Sequence, residues 1–143
     1  MNKKNIKYLL VLFFYINLVN FVQAEEHYFA EGKKLFNSKK YEDAKFKFEK
    51  DIVFNPKSER SYLYLAKIFK EEKNQDLQEQ NLNTVMVLNP KNEEAIYLLL
   101  LLKLDKSDIE GTESLLEKFK KVCTKLCNNQ NELIAKLKTL KDR

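Results

Sequence analysis

Cysteine is the residue of this chain whose type and spacing most directly suggest chemistry. The chain has 2 cysteines, Cys123 and Cys127, which can be a structural disulfide, a redox-active pair, or free thiols or metal ligands. A dithiol catalyst more usually has a Cys-x-x-Cys pattern at a helix start, and haem attachment needs a His where Asn128 stands. The pattern therefore favours a structural disulfide.

A disulfide at this spacing constrains the backbone around it. On a continuous helix, side chains four residues apart have Cβ atoms about 5–6 Å apart, whereas a disulfide needs about 3.8 Å. We therefore expect the helix to break or tighten between Cys123 and Cys127, and Asn128 and Asn129 agree with such a break. Asn129 is then expected to cap a last helix over about 130–141.

No other residues assemble into a catalytic or metal site. His27 is the only histidine, which excludes multi-His centres, and no Ser-His-Asp or Cys-His arrangement occurs at a meaningful spacing. With 2 glycines in the chain, a Gly-rich phosphate-binding loop is disfavoured as well. We therefore expect no enzymatic activity, no cofactor and no small-molecule substrate, and we expect His27 to be a mobile residue.

The first 24 residues have the pattern of an export signal. Three lysines precede an apolar run over 8–22, and a Val-Gln-Ala sequence ends at Ala24. The run is shorter than the about 20 residues that span a bilayer. We expect cleavage after Ala24 and a location in the bacterial periplasm; the alternative is that 1–24 remains as an inner-membrane anchor, which would be the chain's only membrane contact.

Charge separates this segment from the rest of the chain. The whole sequence has 26 basic and 21 acidic residues, a formal net charge of +5. Lys3, Lys4 and Lys7 belong to the signal segment, so 23 basic and 21 acidic residues remain and the net charge falls to +2. A generally basic protein with a nucleic-acid partner is therefore not expected.

The rest of the chain repeats with a period of 34 residues. An Asn-Pro-Lys run at 55–57 recurs at 89–91, and Phe48, Leu82 and Leu116 keep the same offset. Apolar residues within each unit recur at helical spacing. A pair of helices cannot bury its apolar face alone, so units of this kind must stack to form a core.

The 34-residue unit resembles the tetratricopeptide repeat (TPR), a helix–turn–helix module. The positions that carry the resemblance are Tyr28, Gly32, Leu35, Tyr41, Ala44, Phe48 and Pro56 in the first unit, and Tyr62, Leu65, Ala66, Phe69, Leu82, Val85 and Pro90 in the second. Gln78 departs from the small residue that the family prefers, and in the third unit Cys123 and Thr124 replace Asn-Pro.

The resemblance implies an all-α fold, a right-handed superhelical array of TPR units with a C-terminal capping helix. The expected divisions are a signal segment (1–24), units at 25–58 and 59–92, a degenerate unit at 93–126, and the capping helix within 127–143.

The resemblance also implies a peptide-binding groove on the first helix of each unit. The corresponding positions are Phe29, Lys33, Phe36, Asn37, Arg60, Leu63, Lys67, Lys70, Tyr97 and Leu101. Their mixture of lysines with aromatic and apolar side chains favours a protein or peptide partner with some acidic character. The alternative is that the lysines are ordinary solvated residues and that Phe36 belongs to the core. The Lys-Asn-Asn-Lys carboxylate clamp of cytosolic chaperone adaptors is not reproduced, which disfavours their partners.

Several local features carry their own expectations. Asp51 stands where the family packs a small apolar residue, and we expect its helix end to tilt toward solvent rather than to contact a neighbouring unit. Residues 107–110 read as a capping box, and the charge runs at 42–51 and 70–80 read as solvated helix faces.

The sequence thus predicts an exported TPR scaffold or adaptor for protein–protein interaction in the periplasm or cell envelope. Two alternatives stay open. One is a thiol-disulfide exchange protein that uses Cys123 and Cys127, and the other is an envelope assembly factor anchored in the inner membrane through 1–24.

Overall fold

The computed structural model describes Tyr8 and residues 27–142. The predicted signal segment lies outside the described residues except for Tyr8. Over 27–142 the fold is all-α, without β-strands, and no helix there is long and apolar enough to cross a membrane. The chain divides into two compact units, residues 1–58 and 59–143, which are described in turn.

The first unit pairs helix α1, helical over 27–37, with helix α2, Tyr41–Phe54. A Cβ atom added at Gly32 would lie 2.8 Å from Cε1 of Phe48, so the absence of a side chain at Gly32 allows this close packing. Phe48 and Ala44 are fully buried, and the ring of Phe29 packs 5.8 Å from that of Phe48. Glycine thus fixes how closely the two helices approach.

The second unit contains five α-helices and one 3-10 turn. They are α3 (Glu59–Glu71), α4 (Gln75–Leu88), α5 (Glu93–Asp105), α6 (Ile109–Val122), the 3-10 turn Cys127–Asn129 and α7 (Gln130–Lys141). Helix α5, apolar on nearly every side, is buried as expected for such a helix. Leu133 and Leu137 join α7 to the same apolar core.

The turns inside the helix pairs repeat at the period of the sequence. Lys39, Lys73 and Ser107 all adopt positive φ, between 57° and 59°, and they are 34 residues apart. In each turn the N–H of the next residue donates to the carbonyl five residues earlier, as from Asn74 to Phe69 at 2.8 Å. This is a Schellman turn, which satisfies the free carbonyls at the end of a helix.

The N-termini of two helices differ from the caps expected from the sequence. Asn74, Asn92 and Asp108 cap helices α4, α5 and α6, each through a side-chain oxygen that accepts a backbone N–H. The capping box expected to begin at Ser107 is therefore wrong by one residue, because Ser107 occupies the left-handed turn position. Asn129 precedes α7 but gives no side-chain cap, since its Nδ2 donates to the Leu126 carbonyl.

Asp51 corrects the expectation of a solvent-facing helix end. Its side chain is buried, and it accepts a 2.6 Å hydrogen bond from the hydroxyl of Ser58, which is also buried. The hydrogen bond joins the last turn of α2 to the turn that follows the helix. A buried carboxylate needs such partners, because burial without them is costly.

Candidate functional site

The two cysteines lie at disulfide distance. Their sulfur atoms are 2.12 Å apart and their Cα atoms 5.2 Å apart. Helix α6 ends at Val122, Cys123 is extended, and the 3-10 turn begins at Cys127. The break expected between the cysteines is therefore present, and the pair closes a short loop between α6 and α7.

The loop closed by the cysteines wraps around a carboxylate from another helix. Glu93, the first residue of α5, accepts the backbone N–H groups of Thr124, Lys125 and Leu126 and also the hydroxyl of Thr124. These hydrogen bonds, that of the Thr124 N–H foremost, lower the pKa of Glu93. Sequence reasoning missed this anchor, because an acidic residue in a first helical turn already has a sufficient explanation in the helix dipole.

A second polar cluster connects α4, α5 and α6. Lys103 lies 2.7 Å from Glu79 and 2.9 Å from Asp108, and Lys106 lies 2.7 Å from the other oxygen of Glu79. The hydrogen bond from Lys103 is the main cause of the lowered pKa of Glu79. The expectation that 70–80 is a solvated face is therefore wrong at Glu79, which joins α4 to Lys103 and Lys106 at the C-terminal end of α5.

In the first unit, the predicted groove residues separate into two groups. Phe29 and Phe36 are half-buried and pack on aromatic rings of α2, with Phe36 5.5 Å from Tyr41. Lys33 and Asn37 are exposed on α1. His27 is helical and exposed, with Nε2 3.3 Å from a carboxylate oxygen of Glu31, and its mobility stays a prediction.

On α3 of the second unit, the predicted groove residues also divide. Leu63 is 7% exposed and belongs to the apolar core, so it has little surface for a partner. Lys67 lies 2.7 Å from Glu94 of α5 and 4.6 Å from the ring centre of Tyr64. Its charge is therefore already matched within the unit. Arg60 and Lys70 are the exposed cations of this helix among those predicted.

Helix α5 presents the aromatic and apolar part of the predicted surface. Tyr97 and Leu101 are half-buried and pack against the edge of the core, with the Tyr97 ring 6.0 Å from that of Phe119. This packing fixes the Tyr97 ring without covering it completely. A rigid, partly exposed aromatic side chain is a favourable contact for a partner.

A cleft of about 430 Å³ lies between the C-terminal end of α5 and helix α7. Its apolar lining includes Leu104, Ala135 and Leu140, and its polar lining includes Asp105, Glu132 and Lys136. Sequence reasoning missed Leu104, although it lies 34 residues after Lys70, a position already assigned to the inner surface. That periodicity was the available signal.

Metal chemistry has no matching residues in the described part of the chain. Over residues 27–142 no group of three or more His, Cys, Asp or Glu side chains is arranged to hold a metal ion.

No protein-family model and no curated protein matches this chain. Its fold is similar to solved TPR structures. The first TPR domain of Spaghetti (RPAP3), bound to an HSP90 peptide, has a TM-score of 0.73 at 19% identity and covers 82% of this chain and 96% of that one.

Two further solved structures have the same fold. The Yersinia enterocolitica type III secretion chaperone SycD, in complex with a peptide of the translocator YopD, has a TM-score of 0.71 at 19% identity, covering 81% of this chain and 91% of that one. The TPR2B domain of yeast Sti1, in a complex with pHsp70, has a TM-score of 0.72 at 15% identity, and the match covers 82% of this chain and 98% of that one. The chain therefore has a TPR-like fold.

Proposed function

We propose that this protein is a non-catalytic scaffold that binds a peptide segment of a partner protein in the bacterial periplasm or cell envelope. The observation that carries the proposal is the surface of α3 and α5 in the second unit. Exposed Arg60 and Lys70 lie on α3, and the half-buried Tyr97 and Leu101 lie on α5. Lys67 of α3 lies 2.7 Å from Glu94 of α5, so the two helices are neighbours. Cations on one helix and a fixed aromatic and apolar surface on its neighbour suit a peptide that has acidic and apolar side chains.

The similar structures support a peptide partner. The Spaghetti domain is bound to the HSP90 peptide SRMEEVD, whose last four residues, Glu-Glu-Val-Asp, include three acidic residues, and SycD binds a translocator peptide. The inner positions of this chain do not reproduce the Lys-Asn-Asn-Lys clamp, and Lys67 is matched by Glu94. We therefore propose acidic side chains along the bound peptide, rather than its terminal carboxylate, as the recognised groups.

Two features support export. The pattern of 1–24 is that of a signal peptide, and the pair Cys123–Cys127 lies at disulfide distance. Disulfides persist in oxidising compartments such as the periplasm and are rare in the cytosol. N-terminal sequencing of the protein from an osmotic-shock fraction is expected to begin at Glu25; a chain that begins at Met1 and stays in the membrane fraction would instead support the anchored assembly factor.

A structural role for the disulfide accounts for its contacts better than thiol exchange does. Cys123 packs against the apolar core, and the loop between the cysteines is tied to Glu93 through three backbone N–H groups. An exchange catalyst needs an accessible sulfur that can be attacked. We therefore propose that the disulfide holds α7 in place, and catalysis of insulin reduction by the purified protein would contradict this.

Charge reversal on α3 tests the binding function. The tagged protein is used to capture partners from the envelope fraction, and the wild type is compared with Arg60→Glu/Lys70→Glu. The matched control is Lys118→Glu/Lys121→Glu, which reverses two exposed charges on α6. We expect partners of the wild type to be lost in the α3 variant and kept in the α6 variant. Unchanged capture by the α3 variant would overturn the proposal.

A further inference from the structure

The cleft between α5 and α7 differs in charge from the surface of α3. We infer that this cleft binds a basic residue, Lys or Arg, of the partner peptide together with an adjacent apolar side chain, so that the peptide has one acidic and one basic end. The inference rests on the proposed peptide-binding function and adds how charge is distributed along the bound peptide.

The shape of the cleft suits an apolar side chain. Its volume is about 430 Å³, and Leu104, Ala135 and Leu140 contribute to its lining. Leu104 is 8% exposed, so it is held by the core and forms a fixed part of the wall. An apolar residue of the partner would cover this surface and gain the free energy of its own burial.

The side chains that line the cleft include one more carboxylate than cations. Glu132 and Lys136 lie 2.7 Å apart and match each other, and Glu132 is the main cause of the raised pKa of Lys136. Asp105 is exposed at the end of α5 and forms no ion pair within 4 Å among the described residues, and its charge also contributes to the raised pKa of Lys136. The cleft therefore has a net charge of −1.

The cations nearest along the chain are committed elsewhere. Lys103 and Lys106, on either side of Asp105 in sequence, both lie 2.7 Å from Glu79 of α4. Lys141, at the end of α7, pairs with Glu113 of α6. A basic residue of a partner is thus the group that complements Asp105 at this end of the unit, whereas the exposed Lys70 on α3 complements acidic residues.

A pair of designed peptides tests this assignment. One fluorescein-labelled peptide alternates Lys with Leu and the other alternates Glu with Leu, and each is titrated against the purified protein by fluorescence anisotropy. The probe is demanding, because the chain has a net charge of +5, or +2 without its first 24 residues, and its overall field repels the Lys–Leu peptide. Electrostatic attraction of its lysines therefore requires a local acidic site, and the Asp105 variant separates that attraction from burial of its leucines.

The decisive variant is Asp105→Lys, with Glu110→Lys as its control, because Glu110 is an exposed acidic residue of α6 that does not line the cleft. We expect Asp105→Lys to lower the affinity for the Lys–Leu peptide by about threefold or more. The difference in affinity between the variant and the wild type should shrink as salt is added. The control should bind like the wild type. In NMR spectra of the wild type, the amides of Ala135 and Thr139 should shift on addition of the Lys–Leu peptide.

Four results would overturn the inference: no binding of the Lys–Leu peptide by the wild type, an unchanged affinity of Asp105→Lys, equal weakening by both variants, or shifts confined to helices other than α5 and α7. These results are separable from those of the partner capture. If charge reversal on α3 abolishes capture while Asp105→Lys changes no affinity, the cleft assignment fails and the binding function stands. If the reverse is found, the function fails and the cleft remains a site for basic peptides.

Discussion

Glu93 accepts the backbone N–H of Lys125 with 3.1 Å between Lys125 N and Glu93 Oε2. This hydrogen bond joins the first residue of α5, the most apolar helix of the second unit, to the middle of the loop between Cys123 and Cys127. The loop leads directly into α7, which forms one wall of the cleft. The disulfide and Glu93 together therefore position the C-terminal helix.

Removal of the disulfide should loosen α7 before the rest of the fold. For a loop as short as this one, the chain-entropy model gives a stabilisation of about 2 kcal/mol. We expect reductant, or Cys123→Ser/Cys127→Ser, to lower the free energy of unfolding in urea by about that amount. Hydrogen exchange should show faster exchange for the amides of 130–141 than for those of α5, and equal protection with and without the bridge would contradict the role assigned to it.

Glu93→Gln should lower the melting temperature more than Glu94→Gln does. Both substitutions remove one negative charge from the first turn of α5, so their effects on the helix dipole are matched. Glu94 pairs with Lys67 at a partly exposed site, whereas Glu93 accepts three backbone N–H groups. Exposed ion pairs contribute little to stability. Thermal unfolding by circular dichroism measures the difference, and equal melting temperatures would refute the anchoring role of Glu93.

Stability should fall on acidification. The pKa values of Glu79 and Glu93 are lowered in the folded state, chiefly by the hydrogen bond from Lys103 for Glu79 and by the Thr124 N–H for Glu93. A lowered folded-state pKa adds stability above the ordinary value of 4.5, and that stability is lost as the pH falls through the folded pKa. Urea unfolding at a series of pH values between 7 and 3 measures how the free energy of unfolding changes with pH.

The double variant Glu79→Gln/Glu93→Gln should flatten this pH dependence, because it removes two groups whose protonation is linked to unfolding. The control is Glu110→Gln, at an exposed site on α6. If the double variant keeps the slope of the wild type, other carboxylates determine the acid sensitivity.

Gly32→Ala should destabilise the first unit. The added methyl would lie 2.8 Å from Cε1 and 2.9 Å from Cδ1 of Phe48, which is fully buried. Overpacking of this kind costs about 1–3 kcal/mol. The second-site change Phe48→Leu provides the check, because a smaller side chain makes room for the methyl. Gly32→Ala/Phe48→Leu should therefore be less destabilised than the sum of its single substitutions, and strict additivity would count against a steric cause.

The features predicted correctly from the sequence are those set by local spacing. The 34-residue period predicted the helix pairs, and it reappears in the positive φ of Lys39, Lys73 and Ser107. The spacing of the cysteines predicted the break after α6, since a regular helix cannot bring four-apart Cβ atoms close enough.

The contacts that were missed depend on placement across a turn or between helices. Asp51 and Ser58 meet only because the turn after α2 folds back, and Glu93 meets the disulfide loop 31 to 33 residues later. A carboxylate in the sequence gives no sign of which distant donors will reach it. The α5–α7 cleft likewise depends on where α7 packs, which the period does not specify because α7 lies beyond the repeats.

Site-specific photo-crosslinking in living cells tests the central claim most directly. A photoreactive phenylalanine analogue is placed at Tyr97, on the proposed binding surface, or at Val87, which is 80% exposed on α4. After irradiation, adducts are identified by mass spectrometry. We predict an adduct with a protein of the periplasm or envelope from position 97 and none from position 87. The same adducts from both positions, or none from position 97, would contradict a partner-binding surface on α5.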